Sequence, residues 1–341
     1  MTRTPEDTTL EQRTTAPATA AAGPSRRRLG PAAVWQTVGP LAVFVALFAL
    51  VSALNPAFLG GGLRILALQA TTILLVALGQ AMVLHVGSID LSNAAMAILS
   101  AIVLAMTLGP LAAAAPLVCI ALMTAVGAVN GALVAYAQVP SFALTLGTLG
   151  ILQAAALVVS DATTVYVTAN REVLAPLFGT AMVGLPAGFW VAVVLAVLLW
   201  VLLRSTRLGQ ALTAVGLNET GALFSGLRTR RLKVLAFALS GFLAGVAGVM
   251  IIAQAGAASS FGLGSDLLLP GIAAAIVGGT AITGGVTNPI GVVFGALTVA
   301  LIPIAAAAVG VTPQAQSLVY GAAIMVAVAL TMTRRNRGVV K

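Results

Sequence analysis

The sequence predicts an all-α, polytopic transmembrane helical bundle of about ten spans with both termini cytoplasmic. Three observations carry this. Of 341 residues, 60% are hydrophobic and 7% charged, against roughly 25% charged in an ordinary soluble domain. The apolar residues fall in continuous runs near the ~20 residues a helix needs to cross the hydrocarbon core. The basic residues flank those runs almost entirely on one side. So few charges cannot cover the surface of a water-soluble enzyme of this size. The mean hydropathy of +1.09 excludes disorder for most of the chain. Continuous runs, rather than alternating segments of ~10 residues, exclude a membrane β-barrel.

The elements follow in chain order. Residues 1–33 are polar, Thr/Ala/Pro-rich and carry Arg26-Arg27-Arg28, which reads as a disordered cytoplasmic tail. The first apolar run is longer than the core of a signal peptide, so an uncleaved helix is expected. Candidate spans lie at about 34–54, 64–86, 91–108, 112–137, 142–160, 186–203, 234–256, 267–284, 289–309 and 315–333. Breaks are marked by Gly60-Gly61-Gly62, Gly109-Pro110, Val139-Pro140, Asn288-Pro289 and Thr312-Pro313. The membrane domain is therefore 34–333, and 334–341 is a short cytoplasmic tail. Gly127-x-x-x-Gly131, Gly241-x-x-x-Gly245 and Gly291-x-x-x-Gly295 each let a neighbouring backbone approach closely.

Charge sets the orientation. With ten spans and the N-terminus inside, fifteen Lys/Arg are cytoplasmic and only Arg64 and Arg171 are outside. Residues 204–233 form a cytoplasmic loop holding Arg204, Arg207, Arg228, Arg230, Arg231 and Lys233 against one acid, Glu219. Residues 161–185 form an extracytoplasmic loop. This placement of charge is membrane topology rather than a basic groove, so nucleic acid is not a partner.

Several chemistries are missing. Neither lysine, Lys233 or Lys341, follows the glycine pattern of a P-loop. The single Cys119 permits no intrachain disulfide and reads as a small buried apolar side chain. The single His85, at the end of an apolar run, reads as an interface residue. No carboxylate lies mid-span, which disfavours a proton- or sodium-coupled carrier, although backbone carbonyls also bind sodium.

Three places interrupt the apolar pattern. In Gly87-Ser88-Ile89-Asp90-Leu91-Ser92-Asn93, Asp90 either caps the following helix or contacts a solute, and the two roles are compatible. In 218–226, Asn218 suits an N-cap, Glu219 complements the positive helix end and Gly226 suits the stop. Ala222, Leu223 and Phe224 then give this short helix an apolar knob, for docking to a protein or for lying on the lipid surface. The third, Gly278-Gly279-Thr280-Ala281-Ile282-Thr283-Gly284-Gly285, reads as a tight turn or close packing. Gln69, Gln80, Asn130, Gln153 and Ser240 are neutral polar groups within spans, suited to a neutral solute or to interhelical hydrogen bonds.

Four stretches in this order resemble the membrane permease of a bacterial ABC importer, in the ribose/simple-sugar family related to the branched-chain amino-acid permeases. They are Gly87 to Ser92, Val139-Pro140-Ser141-Phe142-Ala143-Leu144-Thr145-Leu146-Gly147-Thr148, Thr206 to Gly226, and Val277 to Gly285. The resemblance runs from about 35 to 333. It implies a multi-pass subunit of the bacterial inner membrane with no cofactor and no ATPase site of its own. It implies two ABC ATPase subunits docked through Asn218, Glu219, Ala222, Leu223, Phe224 and Gly226. It also implies an extracytoplasmic solute-binding protein and a second permease, either a copy or a paralogue. Translocation-path candidates are Gln80, Gly87, Asp90, Ser92, Asn93 and Phe142. Ser88 stands where a glycine is common, and Leu268 and Pro270 where many sugar permeases have Glu and Asp. A monosaccharide is the expected solute. Amino acids or nucleosides are the alternative, and an ion-coupled carrier is the competing class.

Overall fold

The computed structural model describes residues 31–308 except 260 and 262–266, and beyond 308 only positions 310, 315, 318, 321, 322 and 325. Its helices are α1 Pro31–Leu54, α2 Gly62–His85, α3 Asn93–Leu111, α4 Ala115–Tyr136, α5 Ser141–Val159 and α6 Ala175–Gly179. They continue with α7 Ala187–Ser205, α8 Arg207–Leu217, α9 Glu219–Phe224, α10 Thr229–Ala255, α11 Leu268–Val277 and α12 Pro289–Ala308. Among the described residues, six helical stretches are long and apolar enough to cross a membrane. One of these, Asn93–Tyr136, is 44 residues long. It folds back at 112–114, where Ala112 takes φ 46°, so that α3 and α4 run antiparallel. At 19 and 22 residues, each is about 28–33 Å long.

Eight of the ten expected segments coincide with helices: α1, α2, α3, α4, α5, α7, α10 and α12. The expected span at 267–284 is corrected. Helix α11 has ten residues, about 15 Å of rise, half of what a crossing needs. Its apolar run continues, but Gly279 (φ 93°), Gly284 (φ 87°) and Gly285 (φ 74°) turn the chain instead of prolonging the helix. The expected span at 315–333, the residues of the N-terminal tail before 31 and the tail 334–341 lie outside the described residues. The expected loop 204–233 is mostly helical, because α8, α9 and the start of α10 occupy it.

Helix α2 forms the centre. Every residue from 70 to 86 is buried, including the polar Thr71, Thr72, Gln80 and His85, so neighbouring helices enclose it. Helix α10 packs along α4 and against α2 and α3, while α12 packs against α1, α2 and α11. Helices α5 and α7 lie outermost, with Leu146, Ile151, Val158, Val194 and Leu198 exposed to the surroundings of the bundle.

The glycine pairs fix the tightest contact. A Cβ on Gly127 would sit 2.3 Å from the Phe237 carbonyl oxygen, and one on Gly241 2.1 Å from that of Met123. Two of the expected small-residue motifs therefore pack on each other across α4 and α10. The third packs on α11, where Cβ atoms on Gly291 and Gly295 would meet the carbonyl oxygens of Gly278 and Ala274 at 2.2 Å each.

The expected extracytoplasmic loop 161–185 is tied down by short pairings. Strand β1 (Val165–Tyr166) pairs antiparallel with β4 (Ala257–Ala258), and β2 (Ala181–Met182) with β3 (Leu185–Pro186). Asn170 Nδ2 donates to the Leu108 and Gly109 carbonyls at 3.1 and 2.9 Å, near the C-terminal end of α3.

Replacing Gly127 with Leu is expected to destabilise the purified protein by about 1–3 kcal/mol or more through overpacking. Gly150→Leu, on the open face of α5 with nothing within 4 Å of its Cβ position, is expected to leave the melting temperature nearly unchanged. Thermal unfolding in detergent compares the two.

Candidate functional site

The chain between α2 and α3 is irregular and carries Ser88, Asp90 and Ser92, and the lipid-embedded bundle leaves its polar groups no water to bond. They are satisfied by neighbouring helices. Asp90, fully buried, is the hub. Its Oδ1 accepts from the Ser92 N–H at 2.9 Å and the Ser92 hydroxyl at 2.6 Å. Its Oδ2 accepts from the Ser240 hydroxyl of α10 at 2.9 Å. Gln80 Nε2 of α2 donates to the Asp90 carbonyl.

The network spreads outward from there. Asn93 Nδ2 donates to the Ser240 hydroxyl and carbonyl oxygens at 2.6 and 3.1 Å. Asn130 Nδ2 of α4 donates to Ser92 Oγ at 3.0 Å, and Thr148 of α5 donates to Asn130 Oδ1 at 2.9 Å. Ser141 and Thr145 of α5 accept the backbone N–H groups of Ile89 and Leu91, both at 3.1 Å. Five helices, α2, α3, α4, α5 and α10, thus meet on one polar loop.

As expected, the Asp90 carboxylate accepts the Ser92 N–H, but as a turn before α3, whose N-cap position is Ser92 with no side-chain capping bond. The sequence missed the reach of the network. Ser240 and Asn130 are neutral polar residues among apolar ones, a pattern that does not say which partner each will find. Gln80, Asp90, Ser92 and Asn93 are fully buried. Gly87 takes φ 73° beside them, and Phe142 is exposed on α5.

A second constellation lies at the end of the bundle that carries Arg204 and Lys233. Thr206 caps α8 by accepting the Gly209 N–H at 3.0 Å, and α8 buries Gly209, Leu212 and Val215. Gly216 wedges against α2. A Cβ there would stand 1.8 Å from the His85 carbonyl oxygen and 2.5 Å from the Gly285 nitrogen. The Gly285 N–H in turn donates to the His85 carbonyl at 2.8 Å. His85, at the end of α2, is buried under α8, and its Nε2 lies 3.1 Å from Thr213 Oγ1.

Asn218 alone separates α8 from α9. Its Oδ1 accepts the Gly221 N–H at 3.0 Å, the N-cap that residue type predicts. The C-terminus closes as a Schellman motif. Leu227 N–H donates to the Ala222 carbonyl, Gly226 N–H donates to that of Leu223, and Gly226 takes φ 81°. Lys233 Nζ pairs with Glu219 at 2.6 Å, fastening α9 to α10. Ala222 faces inward, while Leu223 and Phe224 are 56% and 86% exposed. The apolar knob is therefore real and stands clear of the chain's own surface.

Removing the Ser240 hydroxyl (Ser240→Ala) takes one donor from a buried carboxylate and is expected to destabilise by about 1–3 kcal/mol. Asp90→Ala strands several donors and is expected to lower the melting temperature further. Equal melting of wild type and Asp90→Ala in detergent would show that the network does not hold the helices together.

The sequence matches known proteins over most of its length. Residues 62–328 match the family described as the permease component of the branched-chain amino acid transport system. The chain is 32% identical to the L-arabinose ABC transporter permease protein of Azospirillum brasilense, over 96% of each chain. It is 31% identical to the D-allose transport system permease protein of Escherichia coli K12, over 87% of this chain and 91% of that one. Identity to the ribose import permease protein of the same strain is 30%, over 84% and 91%. No solved structure matches the chain significantly. The protein, a multi-pass subunit of the bacterial inner membrane, belongs to this family of transport-system permease components.

Proposed function

We propose that the chain is the membrane-spanning permease subunit of an ABC importer and forms the translocation path for a monosaccharide-type solute. An extracytoplasmic binding protein delivers the solute, and two separate ATPase subunits supply the energy, so the chain itself is not an enzyme. The path is completed by a second permease, a copy of this chain or a paralogue. The ten-span topology with both termini in the cytoplasm belongs to the same reading, supported by the placement of fifteen basic residues against two.

One observation carries it: a six-residue helix, α9, capped at both ends, pinned by Lys233–Glu219, with Leu223 and Phe224 projecting unpartnered among the described residues. A docked ATPase pushing on Phe224 moves α9, and Asn218 passes the motion to α8. Gly216 then bears directly on the His85 carbonyl and Gly285, with no side chain between to absorb it. Two residues beyond His85 the chain enters the loop whose Asp90 holds five helices. This is a continuous path of stiff contacts for a rigid-body change. Gln80, Gly87, Asp90, Ser92 and Asn93 flank the path and reach solute when the bundle opens, while Phe142 lines it from α5.

The relatives named for arabinose, allose and ribose favour a sugar. The family description favours a branched-chain amino acid as the second reading. Ligand identification on the cognate binding protein decides between them.

Two outcomes are expected. Proteoliposomes holding the permease alone show no uptake, and adding the ATPase, the binding protein and ATP restores it. Gradient-driven uptake by the permease alone would instead establish an ion-coupled carrier. Phe224→Ala and Glu219→Gln insert normally but lose about tenfold or more of ATP-dependent uptake, a ΔΔG of about 1.4 kcal/mol. Normal transport by both would remove the docking role.

A further inference from the structure

The polar hub between α2 and α3 is short of positive charge. Asp90 is fully buried, and its carboxylate is met by the neutral donors of Ser92 and Ser240. No Lys or Arg stands within ion-pair distance of it among the described residues, whose ion pair joins Lys233 to Glu219. An ionised carboxylate enclosed in this way is strongly unfavourable unless a positive charge reaches it.

Two amide oxygens beside it are also unmet. Gln80 Oε1 and Asn93 Oδ1 are buried and have no hydrogen-bond partner among the described residues. Their orientation is fixed by the other end of each amide. Gln80 Nε2 faces the Asp90 carbonyl and Asn93 Nδ2 the Ser240 carbonyl, and a carbonyl can only accept. Turning either amide over would set oxygen against oxygen. Covalent geometry then holds each orphan oxygen about 2.3 Å from a nitrogen that touches the network. Gly79 lets the two amides approach: a Cβ there would stand 2.5 Å from Asn93 Nδ2, so this amide lies against α2 one residue from Gln80.

One group would answer all three needs. A proton on Asp90 would remove the charge and leave both amides unmet. A water molecule would serve the amides and leave the charge. A cation does both, and oxygen ligands select a hard one. One carboxylate balances one charge, so the ion is monovalent, and the close packing at Gly79 favours a small one. A break between two membrane helices, such as that between α2 and α3, is where helix ends and backbone oxygens hold sodium.

We propose that the hub binds a sodium ion through the Asp90 carboxylate and carbonyl oxygens, Gln80 Oε1 and Asn93 Oδ1. The ion joins α2 to α3 and, through Ser240, to α10. It is a fixed structural ion, and the site is independent of which solute the permease carries.

The test uses the purified full-length chain in neutral detergent, freed of sodium in N-methyl-D-glucamine chloride. Sodium chloride then replaces that salt at constant ionic strength, followed by melting temperature and by equilibrium binding of radioactive sodium. Sodium is expected to bind saturably, one ion per chain, and to raise the melting temperature. Potassium is expected to need about tenfold more for the same effect. Asp90→Asn, which keeps the shape and drops the charge, loses saturable binding. Asn93→Ala raises the half-saturating sodium about tenfold, while Asp161→Asn, an exposed acid outside the site, stays within about twofold. The wild-type titration decides even where both site variants fail to fold. Three results would overturn the proposal: a wild type that melts alike in both salts and retains no radioactive sodium, which would assign a proton to Asp90; N-methyl-D-glucamine protecting as well as sodium; or an Asp90→Asn protein that folds and binds sodium like wild type.

Discussion

The structure depends on one buried carboxylate. Asp90 sits where two helices end inside the bundle, and each of its oxygens is met by a hydroxyl from Ser92 or Ser240. In hydrocarbon an unmet acceptor is far more unfavourable than in water. The helices that bring donors are therefore held to the loop that carries the acceptor. Thr148 feeds Asn130, Asn130 feeds Ser92, and Ser92 feeds Asp90, so α5, α4 and α3 are joined in one direction by donors that end on a single residue. Such a hub fixes the relative position of five helices with few atoms.

Around that hub, packing is set by what is missing from side chains. Lipid offers no hydrophobic drive between helices, so association comes from close contact and interhelical hydrogen bonds. Glycines at 127 and 241 bring two backbones together where a methyl group would clash, and those at 291 and 295 do the same for α11 and α12. The central α2 uses the same device at Gly79, where a Cβ would stand 2.5 Å from Asn93 Nδ2.

At the Lys233 end the same economy of side chains brings three backbone segments into direct contact. Gly216, Gly285 and the His85 carbonyl meet backbone to backbone. A contact of that kind cannot yield by a rotamer change, so displacement of α8 is passed to α2 and to the 278–285 turn. Phe224 stands exposed beside the closed Schellman end of α9, where the proposed coupling would begin.

Hydropathy by itself determined the fold class and the places of eight helices, because these depend on composition within a window, while the family resemblance rests on four short motifs in a fixed order. The caps of α9 were legible for a similar reason: Asn218 and Gly226 act on backbone groups within three residues of themselves. The short α11 was not legible, since an apolar run looks the same whether a helix continues or glycines turn it. Nor was α8, whose buried face shows only once α2 and the glycine turn are there to cover it. The destination of each polar side chain was decided by tertiary structure alone. Ser240 lies 150 residues from Asp90 along the chain, and only the folded approach of α10 to the α2–α3 loop makes that hydroxyl the donor the carboxylate needs.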